Sequence, residues 1–396
     1  MTQAISETIS AIMPELIAIR RDLHAHPETG FEEVRTARIV AAKLREWGID
    51  VTEGVGRTGV VGTLRGNRSG QRAIGLRADM DALNILEATE LSYASTVSGK
   101  MHGCGHDGHT AMLLGAAYVL SRRRDFAGAV HFIFQPAEEG LGGGLAMLED
   151  GLLDRFPADS LYGMHNWPGL PVGKFGTAAG PMLAAGDTWT VTLRGTGGHG
   201  GGGAHHATDV TVAQAQFIMA AQTIVSRNVP ALQTAVVSVG HIQAGAWGSP
   251  NVIPSEVTIR GTARCFDETT RALIERRLGE LAQSTAAAFG CTAELEYERI
   301  FCALVNDADC TAAAVAAARA VAGHDNVDPA VTPATGSEDF AFMLEKRPGN
   351  YVVLGNGSSR PATEAPLHTP FYDFNDEAMP FGIRYWVTLA HQQLAA

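Results

Sequence analysis

The run His102-Gly-Cys-Gly-His-Asp-Gly-His109 sets three histidines, a cysteine and an aspartate among three glycines. Core packing does not require such a density of metal-ligating groups. Cys104 and His106 are two positions apart, and Gly105 between them lets the backbone bend tightly enough to aim a thiolate and an imidazole at one point. The chemistry this spacing suggests is metal binding. Taken alone, the segment also fits a polar loop whose histidines cap a helix starting near Thr110. Ligand types recur at Glu138-Glu139, His165 and His368, and with Cys104 and His106 the donors suit a two-metal site. Adjacent carboxylates have a logic beyond ligation: Glu139 can bind metal while Glu138 takes a proton from water. A lone Glu-Glu pair reads as a solvated turn, but beside the other ligands it reads as part of a hydrolase.

Elements of regular period must bring these positions together. Residues 5–25 and 33–47 read as helices, 60–64 and 73–78 as strands, and Thr110 to about Arg123 as a helix. The apolar run 129–134 reads as a buried strand ending at Gln135-Pro136-Ala137-Glu138-Glu139, and the run 160–164 ends at His165-Asn166. Carboxylates and a histidine just past strand ends sit where open α/β sheets assemble their sites. These features predict an α/β domain with a largely parallel central sheet covered by helices. From residue 185 the pattern changes to β-α-β-β-α-β: strands at 188–194, 235–242, 257–263 and 292–298, and helices at 208–227 and 268–289. That is the order of a ferredoxin-like split βαβ unit, so the expected organisation is 1–184 as the first part of one domain, 185–296 as an inserted α+β domain, and 297–396 as the resumption of the first. A helix at 310–322 and a short strand at 351–354 belong to this last part.

Composition narrows the classes. A chain of 396 residues suggests two domains, and 45% hydrophobic with 18% charged residues fits a globular enzyme. A formal charge of −12 disfavours binding to nucleic acid or an anionic membrane surface, which needs a basic face. Five cysteines, an odd number without framework spacing, argue against a disulfide scaffold and for a reducing compartment. The N-terminal residues read as an amphipathic helix without the pattern of a leader, and no stretch reads as a membrane span, so a cytoplasmic location is expected.

The motifs RADMDAL, HGCGHDGHTAMLLGAA, FQPAEEG, HNWPGLPVG and GSEDFAFML, in that order, closely resemble the M20 family of metallopeptidases and amidohydrolases, in its N-acyl-amino-acid amidohydrolase branch. The resemblance runs from about His24 to Asp376. It implies a zinc-peptidase-like catalytic domain, an inserted ferredoxin-like lid that also mediates dimerisation, and amide hydrolysis at a dinuclear centre. It implies Cys104, His106, Glu139, His165 and His368 as metal ligands, Glu138 as general base and Asp79 as a supporting aspartate. Arg77 stands where related branches carry a metal-binding histidine, while Asp107 and His109 are expected as support behind the ligands. In the inserted domain, His199 matches the histidine that reaches a neighbouring subunit's site to stabilise the oxyanion, and Asn251 and Arg264 match substrate-contacting positions. The sequence departs from the family's pattern at an extra glycine after His199, at Ala204 and at Asn84; none of these removes a ligand.

The expected activity is hydrolysis of N-acyl amino acids or small peptides by a homodimer or higher homo-oligomer that uses two divalent ions, zinc or manganese, with cobalt or nickel as further options. Two rivals remain at this point. One is a metal-free Cys-His thiol amidohydrolase built on Cys104, and the other a non-catalytic metal-dependent binding protein.

Overall fold

The computed structural model describes residues 2–357 and 365–395. The chain forms two compact units: unit 1 is Met1–Met182, Val305–Thr332 and Asp339–Ala396, and unit 2 is Leu183–Leu304 and Pro333–Glu338.

Unit 1 begins with helices α1 (Thr2–Ala25) and α2 (Val34–Glu46) and strands β1 (Asp50–Val55), β2 (Gly59–Arg65) and β3 (Arg68–Asp79). Then come α3 (His106–Arg122), β4 (Ala127–Gln135), α4 (Gly143–Glu149), α5 (Leu152–Arg155), β5 (Ser160–Pro168), β6 (Phe175–Gly176) and β7 (Gly180–Leu183). In unit 2 the chain forms β8 (Ala185–Arg194), β9 (Gly198–His199), α6 (Val210–Thr223), β10 (Ala235–Ala244), β11 (Val252–Ile253), β12 (Glu256–Cys265), α7 (Glu268–Ala288) and β13 (Thr292–Phe301). It closes with β14 (Leu304–Asn306), α8 (Ala308–Ala322), β15 (Val327–Asp328), α9 (Phe340–Leu344), β16 (Gly349–Gly357) and α10 (Met379–Gln393).

The sheet of unit 1 has the order β1-β2-β4-β3-β5-β16-β6-β15. Its centre, β4-β3-β5-β16, is parallel throughout, and antiparallel pairs lie to either side. β4 is buried at every position, as a central strand covered on both faces must be. Along β3 the side chains alternate: Ile74, Leu76 and Ala78 join the core formed with α3, and Arg77 points to the opposite face. Leu16 of α1, Leu113 and Leu114 of α3, and Ile383 and Trp386 of α10 complete that core.

Two expectations need correction. α3 starts at His106 and not near Thr110, because Gly105 adopts φ +91° and its carbonyl accepts the N–H groups of Gly108 and His109 at 2.9 and 3.1 Å, closing the first turn early. Sequence reading also missed α10. Its segment MPFGIRYWVTLAHQQ packs on α3 and α8, burying Ile383, Trp386 and Leu389 and turning Arg384, Thr388 and Gln392 to its less buried side.

In unit 2, β8, β10, β12 and β13 form an antiparallel sheet of order β10-β12-β8-β13. Trp189, Val191 and Leu193 alternate inward from β8 to meet Phe217 of α6 and Ile274 and Leu278 of α7. Asp209 and Asp267 cap α6 and α7, each accepting a backbone N–H of the first turn. Among the described residues, no helix is long and apolar enough to cross a membrane.

Candidate metal centre

Because β4, β3 and β5 are adjacent and parallel, their C-terminal ends lie side by side. Asp79 ends β3, Glu138 and Glu139 follow β4, and His165 lies near the end of β5, while the start of α3 brings Cys104 and His106 to the same place. His368 reaches it from a loop, where it holds φ +64° and its backbone N–H donates to Gly103 O at 2.8 Å. The expected ligands and base of unit 1 therefore converge. Cys104 Sγ lies 3.3 Å from His165 Nε2, His368 Nε2 lies 3.2 Å from Glu139 Oε1, and His106 Nε2 lies 3.9 Å from the same oxygen. Cys104, His106 and His165 form one donor group, Cys104, Glu139 and His368 a second, and His106, Glu138 and Glu139 a third; within each, donor atoms lie within 4.8 Å of one another.

The donors fit divalent cations. His106 Nε2 and Glu139 Oε1 are buried without a hydrogen-bond partner among the described residues, an arrangement that costs roughly 1–3 kcal/mol per group and that a shared cation would relieve. Thiolate, imidazole and carboxylate together are a set that zinc-like ions accept.

Electrostatics follows from burial and neighbours. Burial alone would lower the His106 pKa, but Asp79, Asp81 and Glu139 outweigh it and raise it to about 10. Burial likewise works against the Asp79 carboxylate, and His106, Arg77 and His109 reverse this and hold it well below the usual range. Burial, then Glu139, Glu138 and Asp79, push the Cys104 thiol well above its ordinary value, and burial beside His109 keeps His165 neutral.

Behind the donors stands a second set of side chains. Arg77 ion-pairs with Asp79 at 2.6 Å and with Asp339 at 3.2 Å, so the position that could have held a ligand clamps the strand end instead. Asp339 also accepts from Gln135 at 2.6 Å and from Gly144 N–H at 2.7 Å. His109 bridges Asp79 at 2.6 Å and Asn166 Oδ1 at 2.6 Å. Sequence reasoning missed Asp81, Glu33, Asn166 and Tyr372. Asp81 contacts His106 Nδ1 at 3.3 Å and accepts from Glu139 N–H at 3.0 Å, orienting two donors at once. The signal was present in RADMD, whose second aspartate follows the strand end just as the first closes it. Glu33 accepts the Ala137 N–H at 2.8 Å and so holds that residue at φ +50°, the bend that presents Glu138 and Glu139. The Asn166 amide reaches the Tyr372 hydroxyl at 2.5 Å.

Unit 2 carries the other expected residues. His199 is exposed on β9 opposite Val252, and its Nδ1 accepts the Gly201 and Gly202 N–H groups at 3.1 and 2.8 Å. Asn251 lies beside it, its carbonyl accepting Gly200 N–H at 2.7 Å. Arg264 sits elsewhere, on β12, with one guanidinium nitrogen on Ala263 O at 2.9 Å and on the Thr262 hydroxyl.

Comparison with known proteins agrees with this arrangement. Residues 75–392 match the model of peptidase family M20/M25/M40. The chain is 39% identical over 380 residues to hippurate hydrolase of Campylobacter jejuni, covering 96% of this chain and 97% of that protein. It is 40% identical over 385 residues to N-acetylcysteine deacetylase of Bacillus subtilis, covering 96% and 97%. A solved Bacillus subtilis structure, described as a dinuclear metal-binding peptidase of the M20 family, superposes with a TM-score of 0.84 at 35% identity, covering 97% of this chain and 99% of that one. The chain belongs to peptidase family M20/M25/M40.

Proposed function

We propose that the protein is a metal-dependent amidohydrolase that splits N-acyl amino acids into a carboxylic acid and a free amino acid. The observation that carries this reading is Cys104 shared between two donor groups, Cys104–His106–His165 and Cys104–Glu139–His368, with Glu138 beside them. Two divalent ions, zinc or manganese before cobalt or nickel, are the cofactors that this donor set favours. Bound there, they would polarise the amide carbonyl and acidify the attacking water.

The chain's own groups do the rest. Glu138 takes the water proton and returns it to the leaving nitrogen. Asp79, clamped by Arg77 and His109, holds the end of β3 against the donors. His199, supplied by a second copy in a homodimer, stabilises the oxyanion, and Asn251 and Arg264 bind the amino-acid portion of the substrate. The bonds that Arg264 makes within its own strand leave Nε and the second terminal nitrogen of its guanidinium available to an α-carboxylate as a bidentate pair. The inserted unit thus serves as lid and dimerisation domain. Relatives named for hippurate and N-acetylcysteine support the substrate class. All five cysteines are buried and no disulfide joins them, which supports a cytoplasmic setting.

The thiol-hydrolase reading loses ground. Without a cation, the burial and carboxylates that raise the Cys104 pKa leave little thiolate to act as nucleophile. The test is a panel of N-acyl amino acids, hippurate and N-acetylcysteine included, assayed on chelated protein after each metal is added back. Turnover should vanish on chelation and return with one or more of the metals; undiminished turnover of fully chelated protein would sink the proposal. Glu138→Gln should keep its metal content and lose activity by about 10²- to 10⁴-fold. Near-normal turnover in that variant would remove Glu138 from the role of base.

A further inference from the structure

Unit 1 holds a cavity of about 670 Å³ at the ends of the strands opposite to the metal centre. Arg65 at the end of β2, Gln71 and Ala73 on β3, Ala129 and His131 at the start of β4, the segment leading into β5, and Arg347 just before β16 line it. Ala73 on its wall and Asp79 at the metal centre are six residues apart along β3, roughly 20 Å at about 3.3 Å per residue. A ligand here would not overlap substrate at the metal centre.

The charge balance of the lining is the reverse of the whole chain's. Three arginines, Arg65, Arg155 and Arg347, face one carboxylate, Asp159, in a protein of formal charge −12. Asp159 is partly spent, since its Oδ2 accepts the Ala73 N–H at 2.8 Å. His131 is committed through both ring nitrogens, to the Thr63 hydroxyl at 2.9 Å and to Pro157 O at 3.2 Å. Arg155 pairs through one nitrogen with Asp150 at 2.9 Å. Arg347 is held at the rim by its Nε on Ala158 O at 3.1 Å. Arg65 makes no side-chain hydrogen bond or ion pair with any described residue. Guanidinium groups thus come to one concavity from three separate segments, with N–H groups to spare. One wall is Phe156, over whose ring the Arg155 guanidinium carbon lies 5.5 Å from the centroid. The volume is in the range of small-molecule sites.

We infer that this cavity is a binding site for a small organic polyanion, a phosphate ester or a di- or tricarboxylate, gripped by Arg65, Arg155 and Arg347. Planar guanidinium forks match phosphate and carboxylate oxygens in pairs. Their distribution around the cavity favours a ligand with charge at more than one group over a single monoanion. Neither the metals nor the amide-hydrolysis reading is needed for this conclusion.

The test is calorimetric titration of the metal-loaded enzyme at low ionic strength with fructose 1,6-bisphosphate in one arm and succinate in the other. The double variant Arg65→Ala/Arg347→Ala serves as comparison; both side chains are exposed, and retained hydrolysis without ligand reports an intact fold. Saturable binding of either probe to the wild type, weakened about tenfold or more in the double variant, supports the site; the arm that binds identifies phosphate or carboxylate chemistry. Arg65→Lys/Arg347→Lys should recover part of the affinity. Absence of saturable binding in both arms overturns the proposal. So does equal affinity in wild type and double variant, which would put the anion elsewhere, at the metal centre included.

Discussion

At the scale of single residues, Arg20 is a buried cation that stands outside the donor set. It is fully buried on α1, 2.8 Å from Asp107, 3.6 Å from Asp376, and paired with Asp373. Asp107 follows His106 directly and Asp373 follows His368 by five residues, so one guanidinium ties both donor segments to α1. His24, one turn further along, adds its imidazole between Asp107 at 2.9 Å and Glu87 at 3.3 Å. Removing one member of a buried ion cluster leaves the rest uncompensated, so Arg20→Met should cost about 3–5 kcal/mol, measured by chemical denaturation. Burial opposes the charge on His24, yet Asp107 and Glu87 prevail and raise its pKa to about 9. A raised folded-state pKa stabilises fully below the ordinary value of 6.5 and ceases to do so as pH climbs through 9. The thermal midpoint of the wild type should therefore exceed that of His24→Gln most at pH 6.5 and below, with the gap closing by pH 9.5. A gap independent of pH would refute the charged imidazole.

At the scale of elements, the decisive junction is the entry to α3. Gly105 holds φ +91°, and a methyl group built there would overlap Asn166 Oδ1 and the Tyr372 hydroxyl. A left-handed L-residue costs roughly 1–2 kcal/mol before any clash is counted. Gly105→Ala should therefore lose more stability than that and weaken metal binding about tenfold or more, because Cys104 and His106 flank the bend. Gly140 is the matched control: it holds φ +82° just after Glu139, but an added methyl meets nothing within 4 Å. Gly140→Ala should show the backbone cost alone, and metal titration of the two variants separates strain from displacement. Equal metal affinities would mean that the bend does not position the donors.

At the scale of the molecule, the role proposed for His199 calls for a second copy of the chain. Val212 and Met219 on α6, and Leu232 and Trp247 in unit 2, expose large apolar side chains on the single chain, which supports self-association through that unit. If a second copy supplies His199, mixing the inactive variants Glu138→Gln and His199→Ala under subunit exchange should restore activity. Half of the dimers are then mixed and half of their centres complete, so recovery should approach about a quarter of wild-type turnover. No recovery, with mixed dimers demonstrated by mass, would assign His199 to its own chain or to no catalytic role.

Much of this was legible in the residues alone, because the information was local. Strand ends announced themselves as apolar runs stopping at polar groups, and the β-α-β-β-α-β order of the inserted unit followed from short-range period. The donor types were visible as motifs, and the family resemblance supplied their roles. What the sequence could not determine was which distant groups share a volume. The adjacency of β4, β3 and β5, the conversion of Arg77 from a candidate ligand position into a clamp on Asp79 and Asp339, and the link from Arg20 to both donor segments are long-range pairings, and nothing in local composition encodes them. The sequence by itself picked out the candidate donors, the carboxylate proposed as proton acceptor beside them and the class of sheet that presents them. Only the tertiary structure decided that Cys104 belongs to two donor groups at once and that the far ends of the same strands gather three arginines, because both depend on contacts between segments far apart in the chain.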